Sequence, residues 1–398
     1  MTRSRHRTAG AAFIALFATF LLAASTVAGG FTATTTLHTA TANVPILASD
    51  IATRGKIMVV GWTEFHDGDP ATYVRTSTDG ATFPGPTIRL DSSDPQQNIQ
   101  LAICGGWWWA VTQTNLPGDE NNGYSIYMQG RSLDGTGAED GPILAESFTT
   151  LYTQSPGIAC VGDRRTAVAW LEKNGYSAAH AKVAIDPLAS RVGGIATDRG
   201  ADLGKARLDG GLAVAASTDT TFVGWFRGSA FRLRRFSVGK GPRYIVTPHP
   251  AATLFDASTG HDPVLAVDGS TVVLTFTEAE DQWVRISTDG GLVFGAPHRL
   301  LNLAPTDSAT VYARSADVRG SRIAIEATEI DGPGLTSSVE YRFESADLGH
   351  TWTRTTAAHG GERVGAFTVV GGVTKLAEAW DERNTDATHQ WLRFHREV

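Results

Sequence analysis

Val59-Val60-Gly61-Trp62-Thr63-Glu64 is a β-type run that closes on a large apolar residue, one spacer and a polar residue, and the pattern recurs along the chain. AVAWLE (167–172), FVGWFR (222–227) and VLTFTE (273–278) repeat it, and WAVTQ (109–113), IEATE (325–329) and AEAWDE (377–382) are weaker copies. With Trp62, Val111, Trp170, Trp225, Phe276, Ala327 and Trp380 as equivalent points, the intervals are 49, 59, 55, 51, 51 and 53 residues. Units of about 50 residues suit a propeller in which each blade is one four-stranded sheet. Seven of them predict an all-β chain folded as a single seven-bladed β-propeller.

A second repeat lies 9 to 14 residues upstream of the first: Ala48, Ala102, Ala159, Ala213, Ala266, Ala313 and Ala366, each in a short β-type run. Innermost strands crowd around a central channel, where a small side chain lets neighbouring blades approach. Pro45, Pro95, Pro156 and Pro263 open several of these runs, at positions where a missing N–H costs nothing. Third strands follow at TYVRTS (72–77), YSIYMQ (124–129), WVRIS (283–287), VEYRF (339–343) and WLRFH (391–395). The last unit then stops one strand short at Val398, and the Thr-rich segment from Phe31 to His38 is expected to supply the missing strand and close the ring.

Composition agrees with one β domain. Forty-three glycines and 16 prolines punctuate turns, 42% of residues are hydrophobic, and 19% charged is too few for a disordered chain. Arg3, Arg5 and Arg7, an apolar stretch from Ala11 to about Ala24 and the run Ser25-Thr26-Val27-Ala28 have the layout of a signal peptide, so residues 1–28 are expected to be a leader and 29–398 the propeller. Losing three arginines takes the formal charge from −7 to −10. Such a surface repels polyanions, which makes nucleic acid and anionic membranes poor partners. No later segment is apolar for the ~20 residues a membrane span needs, so a secreted monomer without an anchor is expected. Export also makes a disulfide between Cys104 and Cys160 plausible, both lying near the ends of inner strands of sequential blades.

Between third and fourth strands stands Ser345-Ala346-Asp347-Leu348-Gly349-His350-Thr351-Trp352, a full match to S-x-D-x-G-x-T-W. Ser287 to Phe294 is a near match, Ser77 to Phe83 is one residue short, and Ser132-Leu133-Asp134-Gly135 keeps only the start. On these octets the chain resembles the BNR or Asp-box repeat proteins, the superfamily that includes sialidases, from about residue 44 to the end. The resemblance implies that Asp79, Asp289 and Asp347 build turns on the face opposite the functional one. Two features depart from the sialidase pattern: seven units instead of six blades, and no early Arg-Ile-Pro motif.

If the octets lie on one face, the loops between second and third strands lie on the other. The repeated polar position then places Glu64, Glu172, Arg227, Glu278, Glu329 and Glu382 around a channel mouth as candidate ligand-binding residues, suited to sugar hydroxyls, a cationic ligand or Ca²⁺. Sialidase chemistry needs a cluster of arginines on the substrate carboxylate, a Tyr nucleophile assisted by Glu, and an Asp acid/base. Arg75, Arg285 and Arg393 recur two residues after an aromatic, but at a place that reads as repeat architecture. Trp107, Trp108 and Trp109 fall near the first turn of the second unit and are expected mainly in the core. No metal-ligand spacing or cofactor motif stands out, so neither is expected. Two classes remain open: an extracellular glycan- or protein-binding propeller, and a diverged sialidase-like glycoside hydrolase.

Overall fold

A computed structural model describes residues 30–40, 44–66, 69–90, 96–115, 124–145, 151–162, 165–174, 178–185, 201–239, 246–302, 310–331, 337–357, 362–383 and 390–398. Their strands gather into seven separate antiparallel sheets, the seven blades of a β-propeller. The innermost strands are Ile46–Arg54, Gln96–Cys104, Leu151–Val161, Leu212–Ala216, His261–Asp268, Thr310–Arg319 and Arg363–Val370 for blades one to seven. In each blade the repeated Trp-type motif forms the second strand, for example Ile57–His66 and Thr220–Arg227. Three of the prolines fit the reasoning from their missing N–H: Pro45 precedes its strand, while Pro156 and Pro263 sit where the register of the first strand slips. Pro95 lies outside the described residues.

Blade seven is completed from the other end of the chain. Thr35–Ala40 pairs antiparallel with Gln390–Arg396, and Phe31 adds an isolated bridge to Glu397. The closing strand therefore sits slightly later than the segment 31–38 expected from sequence. Blade four differs in its outer strand. Val246–Pro248 covers the lower end of the third strand Ala230–Val238, and Ala252–Asp256 covers its upper end. Pro248 and Pro250 flank the break, and proline cannot donate to a ladder.

Blades meet face to face through apolar clusters. Trp62, Ile46 and Met58 of blade one pack on Val364, Leu392 and Phe394 of blade seven, with Leu37 of the closing strand between them. Trp109, Val111 and Met128 meet Val168 and Trp170 across the next seam but one, and Phe222, Phe226 and Phe231 meet Leu265 and Phe276 between blades four and five. Full burial of each such side chain contributes about 1.5–3 kcal/mol. Trp107, Trp108 and Trp109 begin the second strand of blade two, after a turn at Gly105-Gly106. Alternation sends Trp108 into one seam and Trp109 into the other, with Trp107 stacked on Trp109 at 5.5 Å between ring centroids. The seam between blades six and seven is different: its apolar cluster is small, and charged side chains fill the remainder.

Four Ser-x-Asp turns lie at the end of the blades where first strands turn into second strands, shown by Leu133 N–H on Gly106 O, Gly290 N–H on Ser270 O and Leu348 N–H on Ser321 O. In each the Asp accepts donors from its own turn. Asp79 takes the N–H groups of Ala81 and Thr82, Asp289 those of Leu292 and Val293, and Asp347 the N–H and hydroxyl of Thr351. Those hydrogen bonds hold the carboxyls below their usual range, Asp347 at about 2, led there by the Thr351 hydroxyl. The residue after the Asp has positive φ every time: Gly80 at 72°, Gly135 at 76°, Gly290 at 76°, and Leu348 at 58°. Leucine there is strained, so Leu348→Gly is expected to stabilise the chain by about 0.5–1 kcal/mol, the αL penalty less glycine's entropy cost. A rise in the urea midpoint measures this; a fall would show that Leu348 contributes packing that outweighs its strain.

Candidate functional site

The first strands of all seven blades enclose a channel of about 580 Å³. Six of the seven repeated alanines, Ala102, Ala159, Ala213, Ala266, Ala313 and Ala366, line it, which is the spatial reason for the repeat. The side chain of Ala48 lies outside those described. Most of the polar part of the wall comes from blades six, seven, one and two, and includes Arg314, Ser315, Asp317, Glu362, Asp50 and Gln100, while blade five adds Asp262. Blades three to five present mainly Pro156, Ile158, Leu212, Val214, Pro263 and Leu265.

Two wall carboxylates tie neighbouring blades. A register slip after Ala48 brings Asp50 to the seam, where it accepts the N–H of Leu101 in blade two at 2.6 Å and of Ile51 at 2.8 Å. The slip after Ala313 does the same for blade six: Ser315 Oγ accepts Gly365 N–H and Asp317 accepts Phe367 N–H, both in blade seven. Burial pushes the Asp50 carboxyl up to about 6, against the pull of the two N–H groups. Its folded pKa thus exceeds the unfolded value near 4, so the stability from the neutral form is complete below pH ~4 and is lost as pH rises through about 6. Asp50→Asn removes that dependence. Its stability relative to wild type is expected to rise by roughly 2 kcal/mol between pH 4 and 7, read from urea midpoints; a flat difference would mean that Asp50 does not titrate in this window.

The repeated second-strand polar residues do not line the channel. Along the second strand of blade one Thr63 and Phe65 face the cavity, so alternation turns Trp62 and Glu64 to the opposite seam. There Glu64, 4% exposed, accepts the Trp62 indole N–H at 2.9 Å and contacts His38 Nε2 at 2.7 Å and His66 Nε2 at 3.0 Å. Burial alone raises its pKa, but the bonds from His38 and Trp62 prevail and hold it below the usual range. Glu172 likewise meets the Trp170 indole at 3.4 Å and Lys182 at 3.9 Å. In blades one and three the Trp-x-Glu pattern thus gives a buried indole its acceptor two residues on, whereas in blade seven the Trp380 indole N–H is unpartnered among the described residues and Glu382 turns to Arg393. Where the second position is Arg227, exposed, Trp225 bonds the Lys205 carbonyl instead. Glu382 holds Arg393 at 2.9 Å, Glu329 accepts the Tyr341 hydroxyl, and burial raises Glu278 against the opposing charge of Arg285.

The arginines are similarly engaged. Arg75 donates to the carbonyls of Leu37, Phe83 and Gly85, and Arg285 to that of Gly295 while lying 4.5 Å from the Phe255 ring centroid. In the wall, Arg314 pairs with Glu362 at 2.5 Å. Behind the wall, the blade six and seven seam holds Arg342 on both oxygens of Glu378 at 3.0 Å, Arg363 on Glu340 at 2.8 Å and on Glu378 at 3.3 Å, and His395 on Glu378. Glu326 and Glu378 are fully buried. Burial, then the Glu378 charge, pushes Glu326 well above the carboxylate range, while His395, Arg363 and Arg342 overcome burial to hold Glu378 far below it. A Cβ on Gly365 would stand 3.1 Å from Glu326 Oε1, so glycine leaves room for this carboxyl behind the wall. Sequence reasoning missed this seam, although Glu326 and Glu378 stand where other units carry small or apolar residues.

Cys104 and Cys160 are joined by a disulfide linking the first strands of blades two and three, with Cα atoms 5.3 Å apart. Among the described residues no group of three His, Cys, Asp or Glu side chains is arranged to hold a metal ion.

No protein family and no curated protein matches the chain. Among solved structures it is similar to the endosialidase of phage phi92, with 12% identity, a TM-score of 0.48, and coverage of 92% of this chain and 68% of that one. It is also similar to the sialidase of Trypanosoma rangeli (10%, 0.43, 89% and 55%), so it spans little more than half of that protein. A six-bladed propeller lectin of the fungus Aleuria aurantia gives 9%, 0.42, 83% and 96%. All three identities are 12% or less, and all three TM-scores are below 0.5.

Proposed function

We propose that the chain is an extracellular, non-catalytic carbohydrate-binding propeller that takes a sugar at the mouth of its channel. The observation that carries this reading is the 580 Å³ cavity with one polar and one apolar wall, a combination suited to a pyranose, which has hydroxylated edges and a C–H face. Arg314 and the seam arginines Arg342 and Arg363 are paired with carboxylates, which leaves them poorly placed to clamp an anionic sugar. Secretion, a monomeric state and a glycan partner are part of the same proposal, as the leader-like first 28 residues and the octets' resemblance to Asp-box repeats suggest.

A sialidase-like hydrolase is the second reading, favoured by one contact: the Tyr341 hydroxyl donates to Glu329. Desolvation and then Glu329 raise the pKa of that phenol, which opposes its use as a nucleophile. A fluorogenic sialoside assay run beside a glycan-binding screen separates the two. Binding without turnover, weakened by Glu362→Gln, is expected. Robust cleavage abolished by Tyr341→Phe would establish the hydrolase reading instead.

A further inference from the structure

The charges of the channel wall are unequal. Asp50, Asp262, Asp317 and Glu362 stand against Arg314 and Arg319. Arg314 is taken by Glu362 at 2.5 Å, and Arg319 lies 4.0 Å from Asp317. Asp50 is held by backbone N–H groups, and Asp262 meets the His261 imidazole at 2.8 Å. Of these carboxylates Asp262 is placed to meet a ligand: its side chain is 40% exposed and it stands beside Pro263 at the rim of the apolar wall. The backbone there is constrained, with φ of 48° at a residue other than glycine. An added Cβ on Gly211 would come within 3.1 Å of Pro263 and 3.6 Å of Asp262 Cα, so the residue that leads into the first strand of blade four packs closely against the backbone carrying the carboxylate.

We propose that the channel mouth selects an amine-bearing sugar, a 2-amino-2-deoxyhexose or a short oligomer of it, whose ammonium meets Asp262 while its C–H face lies on Leu212, Pro263 and Pro156. This rests on the reading of the channel as a sugar site and names the substrate class of that site. An ammonium gains a charge-assisted hydrogen bond at the rim and brings positive charge to an acidic wall, whereas N-acetylation removes that charge and a sialic acid carboxylate meets repulsion.

The test is titration calorimetry of the full chain with glucosamine trimer, its N-acetylated counterpart and sialyllactose, at low and high salt. Wild type is expected to bind the amine trimer roughly tenfold more tightly than the N-acetylated one at low salt, with the margin shrinking at high salt. Asp262→Asn is expected to erase the margin at an unchanged melting temperature, since Asn tolerates positive φ. Equal affinity for the two trimers, a preference for sialyllactose, or a margin that survives Asp262→Asn overturns the inference. The first two of these leave the sugar site itself standing, while silence from all three ligands and from the wider glycan screen removes the underlying reading as well.

Discussion

A chain lacking residues 30–40 is expected to lose on the order of 5 kcal/mol of stability, a large share of what a domain usually has. The deleted segment supplies the outer strand of blade seven, and without it Gln390–Arg396 becomes an open edge. Leu37 and Ala40, each 3% exposed, leave the core, and Leu392, Phe394 and Trp62 lose their cover. Blade one suffers too, because Arg75 Nη1 loses the Leu37 carbonyl at 2.5 Å and Glu64 loses His38 at 2.7 Å. Thermal melting of the deletion variant measures the effect. An unchanged melting temperature would show that the ring closes without its first strand.

Replacing Cys104 and Cys160 together by alanine is expected to cost about 4 kcal/mol, the chain-entropy value for a loop of this length. The cysteines are 56 residues apart in sequence, and the bridge joins inner strands of adjacent blades, whose backbones are otherwise not in one sheet. Alanine fits at both places, since neighbouring wall positions already carry it at Ala102 and Ala159. Urea unfolding of the double variant against the oxidised wild type reads the difference. A gap below about 1 kcal/mol would mean that the unfolded chain is already constrained, or that the seam carries the blades unaided.

The ring was legible in sequence because every unit must solve the same packing problem. An apolar residue on each second strand, large in most blades, and a small one on each first strand recur at blade spacing, from Trp62 and Ala102 to Trp380 and Ala366. The missing strand of the last unit was legible for the same reason. The interrupted outer strand of blade four was harder to see, since Pro248 and Pro250 look like a loop until both flanking pieces pair with Ala230–Val238.

The site was less legible than the fold. A polar residue at the end of a strand does not announce its partner, and Glu64, Glu172 and Glu382 find theirs in an indole or a third-strand side chain of their own blade. The residues that do face the channel owe their places to register slips, at Ala48/Asp50, His261/Val264 and Ala313/Ser315, and a slip changes which side chains point inward without leaving a motif. Arg314 lies within one such slip and Asp262 within another. The ionic seam follows from single replacements in two of the three weaker copies of the repeat, Glu326 and Glu378, whose joint meaning depends on blades six and seven being neighbours.

Hydrogen–deuterium exchange of the full chain, with and without a saturating oligosaccharide ligand, tests the channel-mouth reading most directly. Protection is expected at the upper ends of inner strands, in peptides covering 261–265, 312–316 and 362–366, with the Ser-x-Asp turns at 77–83, 287–294 and 345–352 unchanged. Protection confined to those turns, or to second and third strands away from the channel, would contradict it.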